Sequence, residues 1–123
     1  FAEMKKARVG RKVKCHHHSY LGDVTVGERA NIGAGTITAN YNGVEKFRTE
    51  IGKEAFIGTN VNLIAPIQVG DGALVAAGST VGPNKEIPAG ALAVERAEQV
   101  IKEGYAIRLK ERWRARKKSR EGV

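Results

Sequence analysis

The 123-residue chain has a single cysteine, Cys15, so no disulfide can form within it; a reducing, cytoplasmic setting is expected. No apolar run approaches the roughly 18–20 residues that a membrane span needs. The N-terminal stretch FAEMKKARVGRKVK is basic but lacks an apolar segment, so it does not read as a secretory signal. Helical periodicity is missing between residues 51 and 92, where apolar residues do not recur three and four apart. Hydrophobic residues nevertheless make up 41% of the chain, too many for disorder. The length suits one domain, and a start at Phe1 rather than Met fits a piece of something longer.

The net charge of +8 is unevenly spread. Residues 1–14 carry six Lys/Arg against one Glu, and residues 95–123 carry ten against five. Residues 15–94 are slightly acidic, with five against seven. The basic ends suit a nucleic acid, a membrane surface or a phosphorylated ligand, or are simply solvated.

What is present is a repeat of six. Val26-Gly27 and Ile32-Gly33 open it, and Ile51-Gly52, Ile57-Gly58, Leu63-Ile64, Val69-Gly70, Val75-Ala76, Val81-Gly82 and Ile87-Pro88 continue it. The fifth position is small or β-branched: Ala30, Thr36, Ala55, Val61, Ile67, Ala73, Ser79. Short strands cannot bury an apolar face alone, but stacked coils pair their backbone groups and align the aliphatic residues in one core. Six residues per face and three faces per coil predict a triangular prism of parallel strands. The Gly after each aliphatic residue suits a corner that needs positive φ or close backbone approach. The register slips at Leu21-Gly22, and between Ile32 and Ile51 the segment TANYNGVEKFRTE reads as a loop or bulged coil. Residues 1–92 are thus expected to form the prism, with an insertion over 38–50. Beyond it, Val94, Ala97, Ile101, Tyr105, Leu109 and Trp113 recur three or four apart. A helix with a basic tail is expected over 93–123, lying on the prism or capping it, with Gly104 weakening or breaking it.

The run CHHHSYLGD (15–23) holds all three histidines beside the only cysteine. Neighbours in an extended strand point to opposite faces, so His16, His17 and His18 cannot converge on one ion.

The chain resembles the hexapeptide acyltransferases, and through FAEMKKARVG, HHSYLGD, NIGAGTITANYNG, KFRTEIG, AFIGTNVNLIAPIQVGDGALVAAGSTV and ALAVERAEQV one family within them. That family is the bifunctional N-acetylglucosamine-1-phosphate uridylyltransferase/glucosamine-1-phosphate acetyltransferases, whose C-terminal acetyltransferase domain is similar from Phe1 to about Tyr105. The resemblance implies an all-β fold, a left-handed parallel β-helix, and a C-terminal α-helix. It implies acetyl transfer from acetyl-CoA to the amine of glucosamine 1-phosphate by a homotrimer with sites between subunits, for UDP-GlcNAc and so cell-wall synthesis. His17, in His-x-Ser-Tyr-Leu-Gly-Asp, takes the place of the general base. Lys5, Tyr20, Asn31 and Lys46 match sugar-phosphate contacts. Ala34, Asn40, Tyr41, Thr59, Ala77 and Arg96 match acetyl-CoA contacts, Thr59 standing where many members have Ser. No metal is implied for this reaction. The Gly-rich uridylyltransferase domain, with its Mg2+, has no counterpart in these residues, so that activity is not expected of them. A phosphate-binding arginine of the family falls before Phe1, which is expected to lower substrate affinity.

The chemistry is coherent on its own terms. Acyl transfer to an amine needs a proton acceptor, and His, with a reference pKa of about 6.5, suits that task. The oxyanion needs a preorganised donor, for which a backbone N–H near Gly33–Ala34 is placed. The sugar phosphate calls for cations such as Lys5 and Lys46. Cys15 can be a nucleophile beside histidine or a small half-buried residue; the family's direct transfer favours the second. Two rivals remain. One is a zinc carbonic anhydrase of the β-helix type, which the clustering of the histidines opposes. The other is a structural β-helix whose tail, with eight Lys/Arg from Arg108 to Arg120 around Trp113, binds nucleic acid.

Overall fold

The computed structural model describes residues 2–122. Fifteen short parallel strands wind through five coils, three strands to a coil. The first coil holds β1 (Ala2–Lys5), β2 (Arg8–Val9) and β3 (Lys14–Cys15). The second holds β4 (Ser19–Gly22), β5 (Val24–Val26) and β6 (Asn31–Ile32), and the third β7 (Ile37–Ala39), β8 (Thr49–Ile51) and β9 (Phe56–Ile57). The fourth holds β10 (Asn62–Ile64), β11 (Ile67–Val69) and β12 (Leu74–Val75), and the fifth β13 (Thr80–Val81), β14 (Lys85–Ile87) and β15 (Leu92–Ala93). Equivalent strands stack into three five-stranded sheets, β1-β4-β7-β10-β13, β2-β5-β8-β11-β14 and β3-β6-β9-β12-β15. These are the first, second and third faces of the prism.

The register explains the repeat. Val26, Ile51, Val69 and Ile87 are in line on the second face, and Ile32, Ile57, Val75 and Ala93 on the third. Every hexad from Val26 to Ile87 buries its first residue, and those up to Val75 bury the fifth as well, because side chains two apart in a strand share a face. Burying one such aliphatic side chain contributes about 1.5–3 kcal/mol, so the core is a column of small, equal increments. Of the two reasons for Gly at the second position, close approach is the one that operates. A Cβ on Gly33 would lie 2.5 Å from the Gly58 carbonyl carbon, and one on Gly58 2.5 Å from the Ala77 nitrogen. Positive φ falls two residues later, at Arg29, Gly35, Glu54, Asn60, Gly72, Gly78, Asn84 and Gly90.

The irregular stretches also resolve. Cys15 pairs with Ile32 and so opens a hexad of its own, with His18 at its left-handed corner position (φ 58°). The slip after Leu21 is a corner one residue short, turned by Asp23 at φ 48°. Thr38 takes the next inward position, between Leu21 and Leu63, where an aliphatic residue is expected. It is buried because its hydroxyl accepts the Gly22 N–H at 2.8 Å and faces the Tyr20 and Gly22 carbonyls at 3.3 and 3.2 Å. Residues 40–48 are then a projecting corner loop, not a bulged coil.

The C-terminal segment differs from its periodicity. Residues 94–102 form no helix; α1 spans Tyr105–Glu121, and none of its residues is buried. Two contacts hold the segment along the prism: the Glu95 N–H donates to the Ser79 hydroxyl, and the Arg96 guanidinium to the Ala77 carbonyl. Gly104, at φ 72°, then sets the start of the helix. Of the stripe expected to lie on the prism, Val94, Ala97, Ile101 and Trp113 are exposed, Ile101 more than Val94 or Trp113, and Tyr105 and Leu109 are half-buried.

Candidate functional site

The third-to-first edge of the prism is built from corners that repeat once per coil. Counting on from the aligned residues Cys15, Ile32, Ile57 and Val75, the second residue after each is His17, Ala34, Thr59 and Ala77. Four positions expected to carry function, spread over some sixty residues of chain, therefore form one row. The backbone bonds confirm the alignment of that row. The His17 carbonyl accepts the Gly35 N–H at 3.0 Å, the Ala34 carbonyl the Asn60 N–H at 2.8 Å, and the Thr59 carbonyl the Gly78 N–H at 2.8 Å. At the last rung the Ala77 carbonyl accepts the Arg96 side chain, at 3.1 Å from Nη2 and 3.4 Å from Nε.

A cavity of about 350 Å³ opens beside this row, lined by His16, Asn31, Gly33, Ala34, Phe56 and Thr59. His16 Nε2 lies 3.2 Å from Asn31 Oδ1, which places the Asn31 side chain at the cavity wall. The Gly33 N–H is spent on the Ile57 carbonyl at 2.8 Å. That moves the expected oxyanion donor to the Ala34 N–H. His17 is exposed; its ring lies 6.3 Å from that of His18, and it lines a smaller recess with Ala2, Cys15 and His16. Burial pushes the Cys15 thiol above its ordinary value, and a weaker hydrogen bond to Ser19 works the other way. A thiol held neutral is a poor nucleophile, which agrees with a packing role for Cys15. Among the described residues, no three His, Cys, Asp or Glu side chains are grouped to hold a metal ion.

The remaining expected residues gather at the other end of the first face. Lys5 pairs with Gly22 in register, and the Asp23 N–H donates to the Lys5 carbonyl at 2.9 Å. A side chain on Gly22 would collide with the Tyr20 hydroxyl (2.5 Å) and the Asn40 amide (2.7 Å), so both polar groups lie over that glycine. Asn40 is fixed by a 2.6 Å bond from its amide to the Asp23 carboxylate. The loop then leaves the prism, with Tyr41 and Lys46 joined by an antiparallel bridge. It is braced by Tyr41 Oη donating to the Gly43 carbonyl (2.8 Å) and by Asn42 accepting the N–H groups of Val44 and Glu45 (2.9 Å each).

Within one chain the expected residues thus form two groups on two edges. His17, Ala34, Thr59, Ala77 and Arg96 share one edge, with Asn31 beside it. Lys5, Tyr20, Asn40, Tyr41 and Lys46 share the other. One strand length separates them, on the order of 15 Å at about 3.3 Å per residue. The sequence reading gave no site role to Asp23, His16 or Phe56, which the structure places beside the expected residues. Asp23 was visible as the last residue of the SYLGD motif, but its role in holding Asn40 depends on a contact across the loop.

Comparison with known proteins agrees with this geometry. The family model for the bacterial transferase hexapeptide (six repeats) matches residues 48–83. The chain is 80% identical over all 123 residues to the bifunctional protein GlmU of Symbiobacterium thermophilum, of which it covers 26%. It is 56% identical over 105 residues to that of Staphylococcus haemolyticus, covering 85% of this chain and 23% of that protein. Over its whole length the chain is similar to the C-terminal region of GlmU proteins. It spans about a quarter of the length of these GlmU relatives and matches their C-terminal region. Likeness in fold reaches further. A serine acetyltransferase of Neisseria gonorrhoeae, solved with serine, superposes with a TM-score of 0.61 at 23% identity, covering 76% of this chain and 39% of that one. A perosamine N-acetyltransferase of Caulobacter crescentus, solved with CoA and GDP-perosamine, gives 0.60 at 17% identity, covering 83% and 54%.

Proposed function

We propose that the chain carries an acetyltransferase site that moves the acetyl group of acetyl-CoA to the amine of glucosamine 1-phosphate, giving N-acetylglucosamine 1-phosphate. The observation that carries this reading is the single row His17, Ala34, Thr59 and Ala77, closed by Arg96. A flat prism face has no deep cleft, but this edge offers an extended track for a long, thin cofactor. The corner backbones at Ala34 and Ala77 carry only methyl side chains, so a pantetheine arm can run close along them. Thr59 adds a hydroxyl, and Arg96 a cation for the CoA phosphates at the far end. His17 at the near end takes the amine proton as the tetrahedral intermediate forms, and the Ala34 N–H faces the developing oxyanion.

The sugar phosphate is assigned to Lys5, Tyr20, Asn31 and Lys46, with Asn40 and Tyr41 contacting the cofactor. All of these except Asn31 occupy the opposite edge and the loop, so one chain does not assemble the whole site. A homotrimer in which the loop of one subunit reaches the row of its neighbour supplies both halves. GlmU relatives and the CoA-bound N-acetyltransferase of the same fold support the reaction class.

The test is a steady-state assay of CoA release with glucosamine 1-phosphate, run beside an oligomer measurement. CoA release by a trimer supports the reading. An inactive folded trimer, also inactive when the upstream GlmU segment is restored, overturns it. Release with a different amino sugar and none with glucosamine 1-phosphate overturns the substrate assignment alone.

A further inference from the structure

Helix α1 takes no part in the site proposed above. It presents eight Lys/Arg and two Glu over its 17 residues, with none of them buried. At about 100° per residue, Arg108, Arg112, Arg116 and Arg120 sweep one side, and Lys117, Lys110, Arg114 and Lys118 the other. No sector wider than about 80° is free of a cation. The apolar residues form no uninterrupted face: Tyr105, Leu109 and Trp113 lie within about 80° of one another but share that sector with Arg116 and Arg120, and Ile107 points about 160° from Leu109. A helix that lies in a membrane surface needs such a face, and this one has none. A polyanion does not require one.

The helix is also poorly supported by itself. Arg108/Arg112, Arg112/Arg116, Arg116/Arg120, Lys110/Arg114 and Arg114/Lys118 are like-charge pairs four apart, which repel. Among the described residues one ion pair within the helix opposes them, Lys117 to Glu121 at 3.9 Å. The first turn has no acidic residue, and Gly104 offers no side-chain cap. Lys102, Arg108 and Arg112 gather at the Tyr105 ring, at 5.0, 5.4 and 5.7 Å from its centre. A line of phosphates relieves this repulsion. Trp113 stands half-exposed on the helix, between Arg112 and Arg114 in sequence.

We propose that helix α1 is a nucleic-acid-binding arm, which tracks the phosphodiester backbone of a single strand and stacks Trp113 on a base. Cations around the whole helix supply the electrostatic contact, and the exposed indole the stacking platform. The inference is independent of the acetyltransferase reading, since it uses no residue of that site.

Trp113 is the only tryptophan, so its fluorescence reports the contact directly. The experiment titrates the full chain with labelled single-stranded RNA and DNA of about 20 nucleotides, the matching duplex, heparin, and vesicles of mixed phosphatidylglycerol and phosphatidylcholine. Single strands are expected to bind and to quench Trp113. If about four phosphates are neutralised, the affinity falls on the order of 50-fold between 50 and 200 mM salt. Trp113→Ala is expected to weaken single-strand binding by about tenfold and leave duplex binding unchanged. Changing Arg108, Arg112, Arg116 and Arg120 together to Gln is expected to cost more than about tenfold against every nucleic acid. Because the helix buries none of its residues, the solenoid of these variants should stay folded, as circular dichroism would show. Absence of single-strand binding at 50 mM salt, heparin binding as tight as single-strand binding with Trp113 unquenched, or tighter binding to the vesicles would each overturn the proposal.

Discussion

The Arg96 guanidinium donates to the Ala77 carbonyl, at 3.1 Å from Nη2 and 3.4 Å from Nε. On lower coils the same acceptor row is filled by backbone N–H groups from the coil above. Arg96 therefore ends the ladder with a side chain and is held at the end of the proposed cofactor track. Two bonds to one carbonyl leave further guanidinium donors for a phosphate. Arg96→Ala is expected to raise the KM for acetyl-CoA by on the order of tenfold or more, the scale of a charged hydrogen bond, with kcat little changed. Arg96→Lys should recover only part of this, since an ammonium lacks the planar fork. Steady-state kinetics at varied acetyl-CoA decide it; an unchanged KM for Arg96→Ala removes Arg96 from the cofactor site.

His17 sits at the proposed reacting end of that track, and His16 and His18 flank it with different duties. His16 supports Asn31 through a 3.2 Å contact, and His18 turns a left-handed corner at φ 58°. His17→Ala is expected to lower kcat by about 10²–10⁴, the usual worth of a general base. His16→Ala should leave kcat within about tenfold and act mainly on the KM for the sugar phosphate. For His18 the fair substitution is Asn, which tolerates positive φ. It too should leave kcat within about tenfold. If all three variants fall equally, His17 is not singled out as the base.

The hexads from Val26 to Ile87 were legible because their first residues are strongly aliphatic. The same period ran through Cys15 and Thr38 unnoticed. Cys15 packs against the core as a small apolar group but reads as chemistry, and Thr38 is a polar residue whose burial depends on the Gly22 N–H of the coil before. The row His17–Ala34–Thr59–Ala77 was not legible, because the short corner at Asp23 and the loop at 40–48 break the arithmetic that links one coil to the next. The helix start was misplaced because periodicity ignores the contacts of Glu95 and Arg96 with the prism, which hold the chain extended. The division of the site residues between two edges depends on three dimensions alone.

Burial raises the Cys15 thiol above its ordinary value, so the native state favours the neutral form. As pH climbs past the ordinary value, the unfolded chain loses this proton while the native state keeps it. The contribution to stability is therefore complete at neutral pH and is lost as pH rises toward the folded-state value. Cys15→Ala should flatten that alkaline decline in a series of denaturant unfolding curves. It should leave kcat unchanged, which a thiol nucleophile would not allow. Native Cys15 should also alkylate more slowly at pH 7–8 than the same thiol in denaturant.

Thr38 and Thr49 are both buried threonines of the solenoid, and the same substitution should affect them oppositely. The Thr38 hydroxyl accepts the buried Gly22 N–H at 2.8 Å. Thr38→Val strands that donor, at a cost of about 1–3 kcal/mol. Thr49 lies in register between Val24 and Ile67, both apolar and buried, and its hydroxyl has no partner among the described residues. Thr49→Val removes an unpaired oxygen and adds a methyl group at an apolar position, so it should stabilise by about 1 kcal/mol. Unfolding midpoints of the two variants, measured in urea with unchanged slopes, should move in opposite directions from the parent. A loss of stability in Thr49→Val would mean that its hydroxyl is satisfied in solution, by water entering the second face.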